Sequence, residues 1–155
     1  MVEVPNQNRI KDEVRSSVCT EVQSGKCDIA MAGLTITEKR KDIVNFSDPY
    51  YNASQQIITL SDNTEFADCK TVEDVEAILK TKDTSCKIGV QRGTTGNWYV
   101  KGDADWGFDG FPNLTLEEFD NGALAVTALL NGTIDYVIID SAPAAKIVES
   151  INPKY

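Results

Sequence analysis

Three short stretches of this chain carry the residue types that could hold a small charged molecule. "AGLTITEKR" (32–40) sets Gly33, Thr35 and Arg40 within eight positions, directly after an apolar segment. "VQRGTTG" (90–96) offers Gln91, Arg92, Thr94 and Thr95 around two glycines. "YVIIDS" (136–141) ends an apolar run on Asp140 and Ser141. An arginine can grip a carboxylate through two parallel hydrogen bonds, and backbone N–H groups at a helix start favour an anion. An aspartate offers the opposite charge, suited to an ammonium. A single small molecule that carries both charges is an amino acid.

Each element also has an ordinary structural reading. An arginine after a turn is commonly a solvated surface residue. "GTTG" serves as a turn with a helix cap, and an aspartate after a strand serves as the N-cap of the next helix. The case rests on all three occurring at strand ends. Competing chemistries find little support. The chain has no histidine, which leaves no imidazole for a triad or a metal. Its glycines form neither a phosphate loop nor a dinucleotide fingerprint, and its carboxylates are not visibly paired. We therefore expect no catalytic residue, no metal and no cofactor.

The elements that must position these residues follow from periodicity. Val2–Val4 reads as a short strand, and 10–22 as a helix with Ile10, Val14, Val18 and Val22 on one face, ended by Gly25. Residues 28–32 read as a buried strand, Thr37 as the cap of a short helical turn, and 55–60 as a further strand. Thr71 opens a helix to about Leu79. A strand at 87–91 runs through the "GTTG" turn into a helix. Thr115 and Glu118 read as a capping box for a helix presenting Leu116, Phe119, Ala123, Val126 and Leu130. Asn131-Gly132 stops that helix, 134–139 is a buried strand, and a helix follows from 141. Strands alternating with helices mean an α/β fold with a largely parallel sheet, including 28–32, 87–91 and 134–139. Ligands of such sheets bind beyond the carboxyl ends of the strands, where the three stretches lie. A polar, turn-rich seam at 61–69 suggests a crossing between two lobes, 1–61 and 62–155.

With 155 residues, 41% of them hydrophobic, the chain can bury a core. A formal charge of -9 argues against nucleic acid and against anionic membrane surfaces. No apolar run reaches the length of a membrane-crossing helix. The cysteines are Cys19, Cys27, Cys69 and Cys86. Their even number and local spacing suggest two disulfides, Cys19–Cys27 and Cys69–Cys86, against the alternative of four buried thiols. Their spacing matches no zinc ribbon.

At these residues the sequence resembles extracellular solute-binding proteins of polar amino acid transporters. The resemblance is carried by "SGKCDIAMAGLTITEKRKDIVNFSDPYY", "KIGVQRGTTG" and "NGTIDYVIID", with "VPNQNRI" near the start. It implies a type II periplasmic-binding-protein-like fold: two α/β lobes with largely parallel sheets, joined by crossing strands and closing on ligand. By position, Arg40 would grip the α-carboxylate with backbone N–H groups of Thr35 and Thr95. Asp140, the Gly33 carbonyl and the Thr35 hydroxyl would take the α-ammonium. Thr94 would add a polar contact, and Gln91 could reach the ligand side chain. The implied partner is the membrane permease of an ABC transporter, in a periplasmic or extracellular setting. Measured against the family pattern, the first lobe is incomplete and the second nearly whole, which invites pairing with a second copy as a homodimer. Ligand-binding cores of ionotropic glutamate receptors are similar to the same family. So are dehydratases of this fold, for which Glu38 is the carboxylate nearest the motif.

Overall fold

The computed structural model describes residues 17–31, 33–104 and 107–152, so the readings for Val2–Val4 and for 10–16 lie outside the described residues. Packing divides the chain into two compact units, Met1–Tyr51 and Asn52–Tyr155.

The described part of the first unit holds two short helices, α1 (Val18–Gln23) and α2 (Glu38–Lys41). Gly25 ends α1 at φ 70°, a left-handed conformation that costs a glycine little. Its N–H donates to the Val22 carbonyl at 3.0 Å and the Lys26 N–H to the Glu21 carbonyl at 3.0 Å. Those bonds satisfy carbonyls that the helix end leaves open. Thr37 caps α2 as its sequence suggests, its hydroxyl accepting from the Arg40 N–H at 3.3 Å. The strand expected at 28–32 is not formed at 28–31, and Ala32 is not among the described residues. Ile29 and Met31 are 71% and 79% exposed. A strand needs a partner strand to take its N–H and C=O groups, and no described strand pairs with this segment. Apolar composition alone did not make it one.

The second unit is built on a four-stranded sheet. Its strands are β1 (Gln55–Ile58), β2 (Lys87–Gln91), β3 (Thr115–Phe119) and β4 (Tyr136–Asp140), in the spatial order β1-β4-β2-β3. β2 pairs parallel with both β3 and β4, so the expected parallel relation of 87–91 to 134–139 holds. β1 runs antiparallel along β4, with Gln55 opposite Asp140. Among the described residues the unit's α-helices are α3 (Val72–Thr81), α4 (Thr95–Lys101), α5 (Gly122–Leu130) and α6 (Ser141–Ile151). Side chains of β4 alternate between two cores, as strand geometry dictates. Tyr136 and Ile138 join Leu79, Ile88, Val90 and Val100 on one face, where α3 and α4 pack. Val137 and Ile139 join Ala125, Val126, Leu129 and Ala144 on the other, under α5 and α6. A strand buried on both faces reads as a continuous apolar run, which "YVII" is.

Local chemistry fixes the helix starts. Thr71 caps α3 in a reciprocal capping box with Asp74. The Asp74 carboxylate takes the N–H groups of Lys70 and Thr71 at 2.9 and 3.0 Å, and those bonds hold its pKa below the usual value. The capping box expected at Thr115–Glu118 is instead strand β3. The Thr115 hydroxyl donates backward to the Thr84 carbonyl at 2.7 Å, and its N–H donates to the Cys86 carbonyl at 2.9 Å. Those partners and the β2 edge outweigh a four-residue pattern. The helix starts later, at Asn121, whose side-chain oxygen accepts from the Leu124 N–H at 2.9 Å. Asn131 and Gly132 stop it, as expected.

The two expected disulfides are absent: Cys19, Cys27, Cys69 and Cys86 are all free. Nearness in sequence does not supply the facing Cβ vectors that a disulfide requires. Cys86 belongs to the core around Leu79 and Ile88. Burial, with Asp135 nearby, pushes its thiol up to about 11. Burial also raises the Cys69 thiol.

Candidate functional site

In the second unit, the carboxyl ends of β2 and β4 meet the first turns of α4 and α6. Thr94 is the N-cap of α4, its hydroxyl donating to the Gln91 carbonyl at 2.8 Å and accepting from the Asn97 N–H at 3.3 Å. That is the ordinary capping role, and it occupies the Thr94 side chain. Thr95 stands one residue on, and its hydroxyl donates to Asp140 Oδ1 at 3.2 Å. Asp140 occupies the N-cap position of α6, yet its side chain makes no capping bond. Its carboxylate turns instead to Thr95 and to Gln55, whose Nε2 donates to the same Oδ1. Gln55 Nε2 also reaches Thr95 Oγ1 at 2.9 Å. Thr95 and Asp140, singled out from sequence, are thus brought together.

Gln91 is not part of this group. Its side chain is 6% exposed and its Nε2 donates to the Asp120 carbonyl at 3.3 Å. Arg92 lies on the surface, within 3.5 Å of Glu118 and 3.3 Å of Asp120. Gln55, on β1, is the residue that sequence reading missed. The available signal was the antiparallel pairing of "QQII" with "YVIID", which places Gln55 opposite Asp140 and is visible only once the strand order is known.

In the first unit, Gly33, Thr35 and Arg40 lie around the turn capped by Thr37. Arg40 is buried, at 9% exposure, although it is a charged side chain on a four-residue helix. Its NH1 donates to the Thr35 carbonyl at 2.8 Å. The solvated-arginine reading therefore does not describe it. A guanidinium has five N–H donors, so one can serve a backbone carbonyl and a ligand carboxylate together. Gly33 takes φ 61°, in the left-handed region. Its N–H donates to the Tyr50 hydroxyl at 3.1 Å. Glu38 is exposed and pairs with Lys41 at 2.7 Å.

Among the described residues, no group of three or more histidine, cysteine, aspartate or glutamate side chains is placed to hold a metal ion. Residues 7–142 match the bacterial extracellular solute-binding proteins, family 3. The "Probable histidine-binding protein" of Neisseria gonorrhoeae is 32% identical over 143 residues, covering 92% of this chain and 47% of its own length. The ABC transporter arginine-binding protein 1 of Escherichia coli is 31% identical over 127 residues, covering 81% of this chain and 44% of its own. A crystal structure of an ancestral amino acid-binding protein, described as a precursor of cyclohexadienyl dehydratase, aligns with a TM-score of 0.69 at 33% identity. It covers 86% of this chain and 52% of that one. An ancestral arginine-binding protein bound to arginine aligns with a TM-score of 0.67 at 36% identity, covering 88% and 54%. The chain spans about half the length of these relatives.

Proposed function

The chain belongs to the bacterial extracellular solute-binding proteins, family 3, and from that premise we propose that it is the amino acid-binding component of an ABC transporter. Arg40, with backbone N–H groups of Thr35 and Thr95, takes the α-carboxylate of a polar amino acid. Asp140, the Gly33 carbonyl and the Thr35 hydroxyl take the α-ammonium. Thr94, its hydroxyl spent on the cap of α4, contributes through its backbone, and Gln91 influences which side chain is preferred. The observation that carries this reading is Asp140. It stands at a helix start without capping it, at the carboxyl end of a central parallel strand, where α/β sheets hold their ligands. The burial of Arg40 adds support.

The working site is periplasmic or extracellular, and the membrane partner is the transporter's permease. The chain comprises part of a first lobe and most of a second. In the first unit Ile29, Met31 and Tyr50 are exposed, and a second copy of the chain covers them in a homodimer. The protein binds and does not catalyse. The relatives named by their ligands are binding proteins, and the one carboxylate weighed as a pocket acid, Glu38, is solvated and ion-paired.

Calorimetry on the full-length gene product with arginine, histidine and glutamine tests the reading. Removing one partner of a desolvated charge pair costs on the order of 2–5 kcal/mol of binding. Arg40→Ala should weaken every α-amino acid by a similar factor, because all share the carboxylate. Arg40→Lys should still hurt, since an ammonium lacks the planar fork. Gln91→Ala should instead reorder the ligands. Near-native affinity after Arg40→Ala would sink the assignment.

A further inference from the structure

We propose that Gln55 is a positioning residue: its side-chain amide, bonded to both Asp140 and Thr95, sets the carboxylate of Asp140 for a ligand ammonium, and Gly96 keeps the space that the amide needs. The inference rests on the amino acid-binding reading for the identity of that ligand. Its geometry stands apart from it.

Three elements converge here. β1 supplies Gln55, the first turn of α4 supplies Thr95, and the end of β4 supplies Asp140. Gln55 Nε2 donates to Asp140 Oδ1 and lies 2.9 Å from Thr95 Oγ1. Thr95 Oγ1 donates to the same Oδ1 at 3.2 Å. Both donors fall on one oxygen, Oδ1. An ionised carboxylate only accepts. It therefore dictates which end of the amide faces it, the NH2, and sends the carbonyl oxygen the other way.

The consequence is visible at the other end of the amide. Gln55 Oε1 is buried and accepts no hydrogen bond, a state that folded proteins seldom tolerate without a reason. The reason is the bond at the opposite end. Oε1 lies over Gly96, where a Cβ would stand 2.7 Å from it and 3.1 Å from the Ile138 carbonyl oxygen. Any side chain at 96 would push the amide off Asp140.

Strand pairing does not need this side chain. The β1–β4 register is a backbone ladder, prolonged by the Ser141 N–H donating to the Ser54 carbonyl at 2.8 Å. Gln55→Met keeps the length and the strand while removing both donors. Gln55→Glu sets a second carboxylate against Asp140. Gly96→Ala leaves the amide intact and displaces it.

The decisive measurement uses two ligands on the full-length gene product: L-arginine, and 5-guanidinopentanoate, which is arginine without its α-amino group. Gln55→Met should lose about 10- to 100-fold in affinity for L-arginine, by analogy with the loss of an outer hydrogen-bond partner at a metal site. Its affinity for 5-guanidinopentanoate should hold within about 3-fold of the wild type. Gln55→Glu and Gly96→Ala should lose in the same direction, and Asp140→Asn should show the same selective loss. A parallel fall for both ligands, or no fall for either, overturns the positioning role. A second arm needs no ligand: the side-chain amide signals of Gln55 in nitrogen-edited NMR should move in Asp140→Ala. Unmoved signals overturn the inference. If they move while the wild type binds no amino acid, the binding reading fails and takes the ammonium role of Gln55 with it.

Discussion

The second unit is a sheet with helices on both faces, while the described part of the first is two short helices and connecting chain. The core shows the contrast. Leu79, Ile88, Val90, Ala125 and Val137 are wholly buried, and all lie in the second unit. Among the described residues of the first, only Cys19 and Arg40 are buried. Val18, Val22, Ile29, Leu34, Val44 and Tyr50 line an open apolar hollow there. The two units also differ in how they hold their candidate binding residues. Asp140 accepts from side chains of two other elements, and Arg40 bonds the Thr37 hydroxyl through its N–H and the Thr35 carbonyl through its guanidinium. A sheet can bring distant residues together, but a capped turn can only order its neighbours.

The largest effect should come from the buried core. Leu79→Ala in the second unit should lower unfolding free energy by about 2–5 kcal/mol, measured by urea titration. A loss below about 1 kcal/mol would mean that the core in which Leu79 sits does not carry the stability of the chain.

The apolar surface of the first unit should behave in the opposite way. Ile29→Ser and Met31→Ser should change stability by no more than about 0.5 kcal/mol while reducing self-association in light scattering across concentration. A wild-type chain that scatters as a monomer at every concentration would remove the homodimer.

The smallest effect should be acid-dependent and confined to the second unit. Asp74 has a folded pKa below its usual value, held there by the N–H groups of Lys70 and Thr71. A depressed carboxylate stabilises above its unfolded pKa, near 3.9, and that stabilisation is lost as pH falls through the lower folded value. Asp74→Ala should therefore lower the melting temperature at neutral pH, and the gap should close as pH drops below about 4. A gap that persists at pH 2 would assign the effect to packing.

What was legible from the residues divides along the same line. Periodicity and capping chemistry placed β2, β4, α3, α4 and α6, because each is decided by its own apolar faces and its own first turn. They failed at Thr115, where a four-residue pattern met an open strand edge and the edge won. They failed again at 28–31, where an apolar run pairs with no described strand. The cysteine pairing failed because closeness along the chain does not imply facing side chains. In the site, Thr95 and Asp140 could be seen as strand-end residues. Gln55 could not, since its relation to Asp140 exists only across an antiparallel pairing of two strands far apart in sequence. The N-cap reading of Asp140 was plausible in sequence, and only the direction of its carboxylate decided against it.

The strand order β1-β4-β2-β3 has a consequence in time. The strand that joins β1 to the rest of the sheet is the last to be made, so during synthesis β1 waits for a partner some 80 residues downstream. Until β4 emerges, only β2 and β3 can pair. A nascent chain stopped before residue 136 would keep that one pairing and leave Gln55 with nothing to orient. Of Gln55, Thr95 and Asp140, the aspartate is therefore the last to be made, and the three can meet only once β4 is present.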